Sequence, residues 1–181
     1  MLESFEGFVR RLIGGFSAVG LEYMLTGALA VSYYGRARTT VDVDVVIAIV
    51  GKGWRTRLAS GLKRAGLVVA EERIDAALKS GYRIVTFEDS RSPLSVDVIL
   101  SDVKLVRRAG SILGLATFYQ TPEGLILAKL RMIKATVPRE RALKDEEDVR
   151  AILEFTRVDV EAVKKQAKKD STLSIFETIA T

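Results

Sequence analysis

Hydrophobic and polar residues alternate most regularly in the segment TVDVDVVIAIV, residues 40–50. Successive side chains of a β-strand point to opposite faces of the sheet, so this alternation predicts a strand. Its apolar face is expected to consist of Val41, Val43, Val45 and Ile47. The other face carries Asp42 and Asp44, although aspartate is disfavoured in strands and two neighbouring carboxylates repel each other. This acidic face needs an explanation other than packing.

The same periodicities predict the other helices and strands. Helices are predicted around residues 5–13 and over 28–35, 54–69, 121–135, 139–155, 158–169 and the last ten residues. Strands are predicted over 21–25, 81–88 and 94–101. The turn-rich segment DSRSP separates the last two strands and predicts a hairpin. Thr121 followed by Pro122 is typical of a helix N-terminus, and Gly35 predicts a left-handed cap at a helix C-terminus.

The order of these elements predicts an α/β (α+β) fold in two parts. Residues 1–120 are expected to form a core with a small mixed β-sheet flanked by helices. Residues 121–181 are predicted to be helical and to pack on that core. The length of 181 residues suits one domain with such an appendage.

Composition excludes several kinds of chemistry. The chain has no cysteine and no histidine, so it contains no disulfide, no thiolate ligand, no imidazole ligand and no histidine base. A metal must therefore be held by oxygen, which favours Mg²⁺, Mn²⁺ or Ca²⁺. The net charge of +5 mildly favours polyanionic partners. No segment approaches the roughly 20 apolar residues of a membrane span, and the N-terminal segment does not resemble a signal peptide, so we expect a cytoplasmic protein without membrane contact.

A third carboxylate follows the same pattern as the first two. Asp97 lies between Val96 and Val98 in SVDVIL. If this strand neighbours residues 40–50, Asp97 joins Asp42 and Asp44 on one face; the alternative is a solvated strand face. Three carboxylates together favour a divalent metal site of the kind that catalyses phosphoryl transfer.

A glycine turn precedes the acidic strand. In TGALA, Gly27 lies between a predicted strand and a predicted helix. Such a glycine lets the backbone approach a phosphate, and the first amides of the helix can bind it.

Together these motifs resemble the nucleotidyltransferase superfamily. The similarity covers residues 20–155 and includes TGALA, RTTVDVDVVI and SVDVIL. The segment LAKL followed by RALKDEEDVRAIL is also similar to the helical tail of the branch that includes the AbiEii-type toxins of toxin–antitoxin pairs. The resemblance implies transfer of a nucleoside monophosphate from ATP or GTP to an acceptor hydroxyl, with Mg²⁺ or Mn²⁺ and with release of pyrophosphate.

The resemblance also implies roles for individual residues. Asp42, Asp44 and Asp97 would be the catalytic carboxylates and metal ligands. The residues implied in nucleotide binding are Gly27, Ala28, Arg38, Thr40, Lys129 and Lys144, while Asp145 and Asp148 match the acidic part of the tail motif.

Several alternatives remain open at this stage. Position 28 is alanine where the superfamily has glycine or serine, so the fold could bind nucleotide, or act as a toxin–antitoxin-type interaction module, without turnover. Arg38 could be a surface arginine, Lys129 a lysine that extends from an apolar face into solvent, and KDEED a solvated helix turn. A calcium-binding structural domain is a third possibility. The acceptor (RNA, protein or small molecule), the base, and a partner protein or homodimer are all left undetermined.

Overall fold

A computed structural model describes residues 4–181 of the chain. The helices are α1 (Phe5–Ala18), α2 (Gly27–Tyr34), α3 (Trp54–Arg64), α4 (Glu71–Ser80), α5 (Pro122–Ala135), α6 (Leu143–Phe155), α7 (Val160–Lys169) and α8 (Leu173–Ala180), with a 3₁₀ turn at Arg139–Ala142. The strands are β1 (Tyr23–Leu25), β2 (Asp42–Ala48), β3 (Ile84–Glu88), β4 (Ser95–Ser101), β5 (Arg107–Ile112) and β6 (Leu115–Gln120). This is the predicted mixed α/β fold, with a sheet flanked by helices.

The chain groups into two compact units. The first, which we call the sheet unit, consists of Met1–Gly27 and Thr40–Tyr119. The second, the helical unit, consists of Ala28–Thr39 and Gln120–Thr181.

The sheet unit is organised around a six-stranded mixed sheet with the order β3-β4-β2-β1-β6-β5. β2 lies between β1, which is antiparallel to it, and β4, which is parallel to it. β3 and β4 are antiparallel neighbours, as the hairpin prediction requires. α1 packs against α3, and the buried residues of the two helices include Phe8, Leu12, Phe16, Leu58 and Leu62.

The two faces of β2 differ in chemistry. Val43, Val45 and Ile47 are fully buried, as the alternation predicts. The inclusion of Val41 was wrong, because this residue precedes the strand and is 62% exposed. On the face that carries the aspartates, the later positions Val46 and Ala48 are also buried, and they belong to a small apolar cluster completed by Met24, Leu105, Ile99 and Phe118. The acidic face therefore becomes apolar toward the C-terminal end of β2.

The helical unit contains α5, α6, α7 and α8, which contact one another. α5 begins as predicted, because the Thr121 side chain accepts a hydrogen bond from the Gly124 amide and Pro122 occupies the first turn. The interior of the unit is apolar and includes Leu125, Ile126, Leu130, Val149, Ile152, Val163 and Phe176.

Gly35 has a different role from the predicted one. The residues with positive φ among those described do not include Gly35, so it is not a left-handed cap. A Cβ atom added at Gly35 would lie 3.0 Å from the Ala151 Cβ. The glycine is therefore explained by close packing between the end of α2 and α6.

Three elements were not predicted from the sequence: α4, β5 and β6. β5 and β6 are joined through Leu113 and Gly114, both of which have positive φ. Among residues 4–181, no helix has both the length and the apolar character needed to cross a membrane.

Candidate active site

Neighbouring strands bring the three predicted carboxylates to one face of the sheet. In the parallel pairing of β2 and β4, Asp44 lies directly opposite Asp97, and Asp42 lies opposite Ser95. Asp42 and Asp44 are two residues apart on β2, so all three side chains project from the same face. Asp97 was expected to join the other two aspartates only if its strand lies beside residues 40–50. β4 does lie beside β2, so this condition is met.

Two hydroxyl groups hold two of these carboxylates. Thr86 lies opposite Asp97 in the antiparallel pairing of β3 and β4, and its Oγ1 donates a hydrogen bond of 2.6 Å to Asp97 Oδ1. Ser95 Oγ donates a hydrogen bond of 3.0 Å to Asp42 Oδ1. The sequence-based reasoning did not identify either hydroxyl. The register of the predicted hairpin could have identified Thr86, because the centre of each strand carries one polar residue among apolar ones.

Gly27 lies against Asp44. It has a φ of +58°, and a Cβ atom added there would lie 2.0 Å from Asp44 Oδ2. The preceding amide, of Thr26, donates a hydrogen bond of 3.0 Å to the Asp44 carbonyl oxygen. Only glycine combines this backbone conformation with so close an approach. The predicted glycine turn and the predicted acidic strand are therefore parts of one local structure.

The donor set of this face suits a hard divalent cation. Its side-chain donors are carboxylate and hydroxyl oxygens, which Mg²⁺ and Mn²⁺ prefer. Within residues 4–181, no three carboxylates already converge as a ready group of metal ligands. The backbone register places the three carboxylates side by side, and side-chain rotations would be required to gather them around an ion.

A second cluster of charged residues lies within the helical unit. Lys129 Nζ on α5 is 2.6 Å from Asp145 Oδ1 and 2.9 Å from Asp148 Oδ2, both on α6. Arg38 donates a hydrogen bond to the same Asp148 oxygen. Lys129 and Asp148 are 8% and 4% exposed, so the lysine ammonium lies against two carboxylates and not in bulk solvent. One oxygen of Asp148 thus brings two cations together.

Lys144 lies on the wall of a cavity of about 560 Å³ in the helical unit. Arg38 and Asp148 also line this cavity, together with Arg36 and Glu147. The lining therefore contains both cations and anions, and it connects the predicted Lys144 to the predicted Arg38.

Thr40 and Ala28 occupy simpler positions. Thr40 Oγ1 donates a hydrogen bond of 2.9 Å to the Asp42 carbonyl oxygen, at the start of β2. The structure thus gives Thr40 a backbone role beside the acidic strand. Ala28 is the second residue of α2, and its side chain is largely buried.

The fold is similar to that of solved structures, whereas neither a protein-family model nor a curated protein sequence matches the chain. The solution structure of the antibiotic-resistance factor ANT(2'')-Ia is 14% identical, with 94% of each chain covered and a TM-score of 0.64. Its crystal structure in complex with adenylyl-2''-tobramycin is 13% identical, with 96% of this chain and 97% of that chain covered and a TM-score of 0.60. JHP933 from Helicobacter pylori is 17% identical, with 93% and 75% covered and a TM-score of 0.50.

The chain has the nucleotidyltransferase fold. This agrees with the superfamily resemblance of TGALA, VDVDVVI and SVDVIL. The likeness to the AbiEii-type branch stays a prediction, and so do the roles of the individual site residues. Within the nucleotidyltransferase fold, the acidic face of β2 and β4 is the candidate active site, because it contains Gly27 and all three predicted carboxylates.

Proposed function

We propose that the protein is a metal-dependent nucleotidyltransferase, which transfers a nucleoside monophosphate from ATP or GTP to an acceptor hydroxyl and releases pyrophosphate. The observation that supports this most strongly is the acidic face itself. Asp44 and Asp97 are direct neighbours in register, Asp42 projects from the same face, and Gly27 is fitted against Asp44. A merely structural sheet face would gain nothing from placing three carboxylates together.

In this proposal Asp42, Asp44 and Asp97 would hold Mg²⁺ or Mn²⁺. The metal would supply charge neutralisation at the phosphates and would activate the acceptor hydroxyl. Asp97 would accept the proton of the acceptor hydroxyl. The oxygen of that hydroxyl would form a bond to the α-phosphorus as the bond between the α-phosphorus and the pyrophosphate oxygen breaks. A carboxylate can take this role in a chain that contains no histidine.

We further propose nucleotide contacts from the resemblance. The backbone at Gly27 and Ala28 would bind phosphate, and the cations among the predicted residues would neutralise it. These residues are Arg38, Lys129 and Lys144. Asp145 and Asp148 would then act on the nucleotide only through the cations they hold.

The acceptor class is the least constrained part of the proposal. ANT(2'')-Ia was crystallised with adenylyl-2''-tobramycin, an adenylylated small molecule. By analogy, a small-molecule hydroxyl is one candidate, beside RNA and a protein hydroxyl.

The test is transfer of label from α-³²P-labelled ATP or GTP in the presence of Mg²⁺ or Mn²⁺ and a cell extract. Pyrophosphate release is measured together with the label in the protein, RNA and small-molecule fractions. We expect Asp44→Asn to reduce both to background, and the control Asp102→Asn, which removes an exposed carboxylate paired with Arg83, to leave both unchanged. Equal activity of Asp44→Asn and wild type would contradict the proposal.

A second candidate function is nucleotide binding without turnover, in a toxin–antitoxin-type interaction module that binds a partner protein or a second copy. It is favoured by Ala28, which offers a phosphate only its backbone amide and no hydroxyl. Its signature in the same experiment is a melting temperature raised by nucleotide and metal, without release of pyrophosphate.

A further inference from the structure

On the acidic face, the hydrogen bond between Thr86 and Asp97 is shorter than the one between Ser95 and Asp42. The two residues are direct partners across β3 and β4, and the oxygen-to-oxygen distance is 2.6 Å. Hydroxyl-to-carboxylate bonds of this length are characteristic of an ionised acceptor and are about twice as strong as neutral ones. The strand register therefore places a strong donor directly beside Asp97.

Threonine suits this task because its side chain is stiff. The branched Cβ restricts χ1, so that in a strand the hydroxyl is presented in a fixed direction. The bond uses Oδ1 of Asp97, and Oδ2 accepts no hydrogen bond from the residues that the structure describes. A carboxylate held by one oxygen in this way can present the other oxygen to a ligand in a defined direction.

The other two carboxylates are held differently. Asp42 is exposed, and its bond from Ser95 is longer, at 3.0 Å. Asp44 is confined by the backbone of Gly27. Asp97 and Asp42 each accept a hydrogen bond from a hydroxyl on a neighbouring strand, and the bond to Asp97 is the shorter of the two.

Thr86 is also close to solvent. Thr86 lines a groove of about 380 Å³, whose other lining residues come from α4, β3 and the segment between them and include Arg73 and Tyr82. The hydroxyl therefore lies at the boundary of the site and not in the apolar core.

We infer that Thr86 is a positioning residue, which orients Asp97 for metal binding and for acceptance of the proton. This inference rests on the proposed function. Mutation of a residue that hydrogen-bonds a metal-ligating carboxylate typically lowers metal affinity or activity by about 10- to 100-fold. We place Thr86 at the lower end of that range because Asp42 and Asp44 remain in place.

The test is a titration of the metal-free protein with Mn²⁺, followed by the electron paramagnetic resonance signal of the free ion. Thr86→Val keeps the branched shape and removes the donor, and we expect it to weaken Mn²⁺ binding about 10-fold. Thr86→Ser restores the hydroxyl and should recover most of the affinity. Ser101→Ala is the control: it removes a hydroxyl that bonds only the Val103 backbone, from the same strand as Asp97.

The Mn²⁺ affinities of the variants separate positioning from a merely structural role. Thr86→Val with wild-type Mn²⁺ affinity would overturn the inference, whatever its melting temperature. Failure of Thr86→Ser to recover affinity would also overturn it, because the effect would then come from packing. If the wild type itself bound no Mn²⁺, the proposed metal dependence would fail first, and the role of Thr86 with it.

Discussion

At the scale of single residues, the acidic face is defined by unfavourable contacts. Asp44 and Asp97 are opposite each other, and Asp42 is two positions from Asp44 on the same strand. At about 6 Å and an effective dielectric constant near 20, one such pair repels by roughly 2–3 kcal/mol. Folded chains accept such costs at functional sites. This repulsion, together with the hydroxyls that face it, is what distinguishes the face from an ordinary solvated strand.

The contact between Gly27 and Asp44 leads to a prediction at the same scale. Gly27→Ala should lower the stability by about 1–3 kcal/mol, because a side chain at φ +58° is strained and its Cβ would overlap Asp44 Oδ2. The same variant should also weaken Mn²⁺ binding, since the carboxylate must move. Thermal melting and Mn²⁺ titration measure the two effects.

A matched control for this prediction is Gly14→Ala in α1. An added Cβ there has no neighbour within 4 Å, and Gly14 is not among the glycines with positive φ. It should therefore stabilise the helix by about 0.5–1 kcal/mol. A Gly27→Ala variant that melted as high as wild type would disprove the close approach at Gly27.

At the scale of elements, the predictable parts are those with a strong local signal. The alternation of VDVDVVI identified β2, and the sequence TP followed by an apolar periodicity identified the start of α5. α4 was missed because EERIDAALKS has few apolar residues and no capping side chain. β5 was missed because RRAGSI does not alternate, as expected for a largely exposed edge strand.

The candidate site was predictable to a similar extent. The three aspartates and Gly27 could be identified from the motifs, because each lies in a short segment of unusual composition. The parallel pairing of β2 with β4 could only be assumed, since nothing local determines which strands become neighbours. Thr86 and Ser95 depend on that pairing and on the hairpin register, so they required the structure.

The ion pairs between α5 and α6 give a prediction at the element scale. Lys129→Met should destabilise the protein by up to about 3–5 kcal/mol, because it leaves the half-buried Asp145 without its cation and the buried Asp148 with Arg38 alone. Adding Asp145→Asn to that variant should recover part of the loss. Lys164→Met is the control, since its pair with Glu161 is exposed, and it should change stability by less than about 0.5 kcal/mol.

Nucleotide binding by the same variants tests the proposed phosphate contact of Lys129. The rise in melting temperature on adding nucleotide and Mg²⁺ is compared between wild type and the double variant. If nucleotide and Mg²⁺ no longer raise the melting temperature of the double variant, although its stability has been partly recovered, this supports a phosphate contact of Lys129. An undiminished rise would mean that Lys129 serves only to join α5 and α6.

At the scale of the whole molecule, stability in acid depends on carboxylates that are ionised in the folded state. Asp89 connects two distant parts of the sheet unit: its side chain accepts hydrogen bonds from Ser92, at 2.6 Å, and from Arg11 of α1, at 2.9 Å. Burial by itself would raise the pKa of Asp89. The hydrogen bonds from Ser92 and Arg11, with the charge of Arg11, outweigh burial, so the pKa is lowered.

The lowered pKa determines the sign of the pH dependence. The unfolded chain binds a proton at this aspartate near pH 3.9, whereas the folded protein does so only at a lower pH. The stabilisation by Asp89 is therefore fully present well above pH 4 and is lost as the pH falls through the folded-state pKa. We expect Asp89→Asn to melt well below wild type at pH 7, and this difference to shrink as the pH falls below about 4. Because the excess of basic residues destabilises every variant in acid, the difference between variants is the quantity to measure.

Asp102→Asn, which removes an exposed ion pair, should differ little from wild type across the same range. A deficit of Asp89→Asn that stayed constant with pH would mean that Asp89 stabilises the fold through its shape and not through its charge.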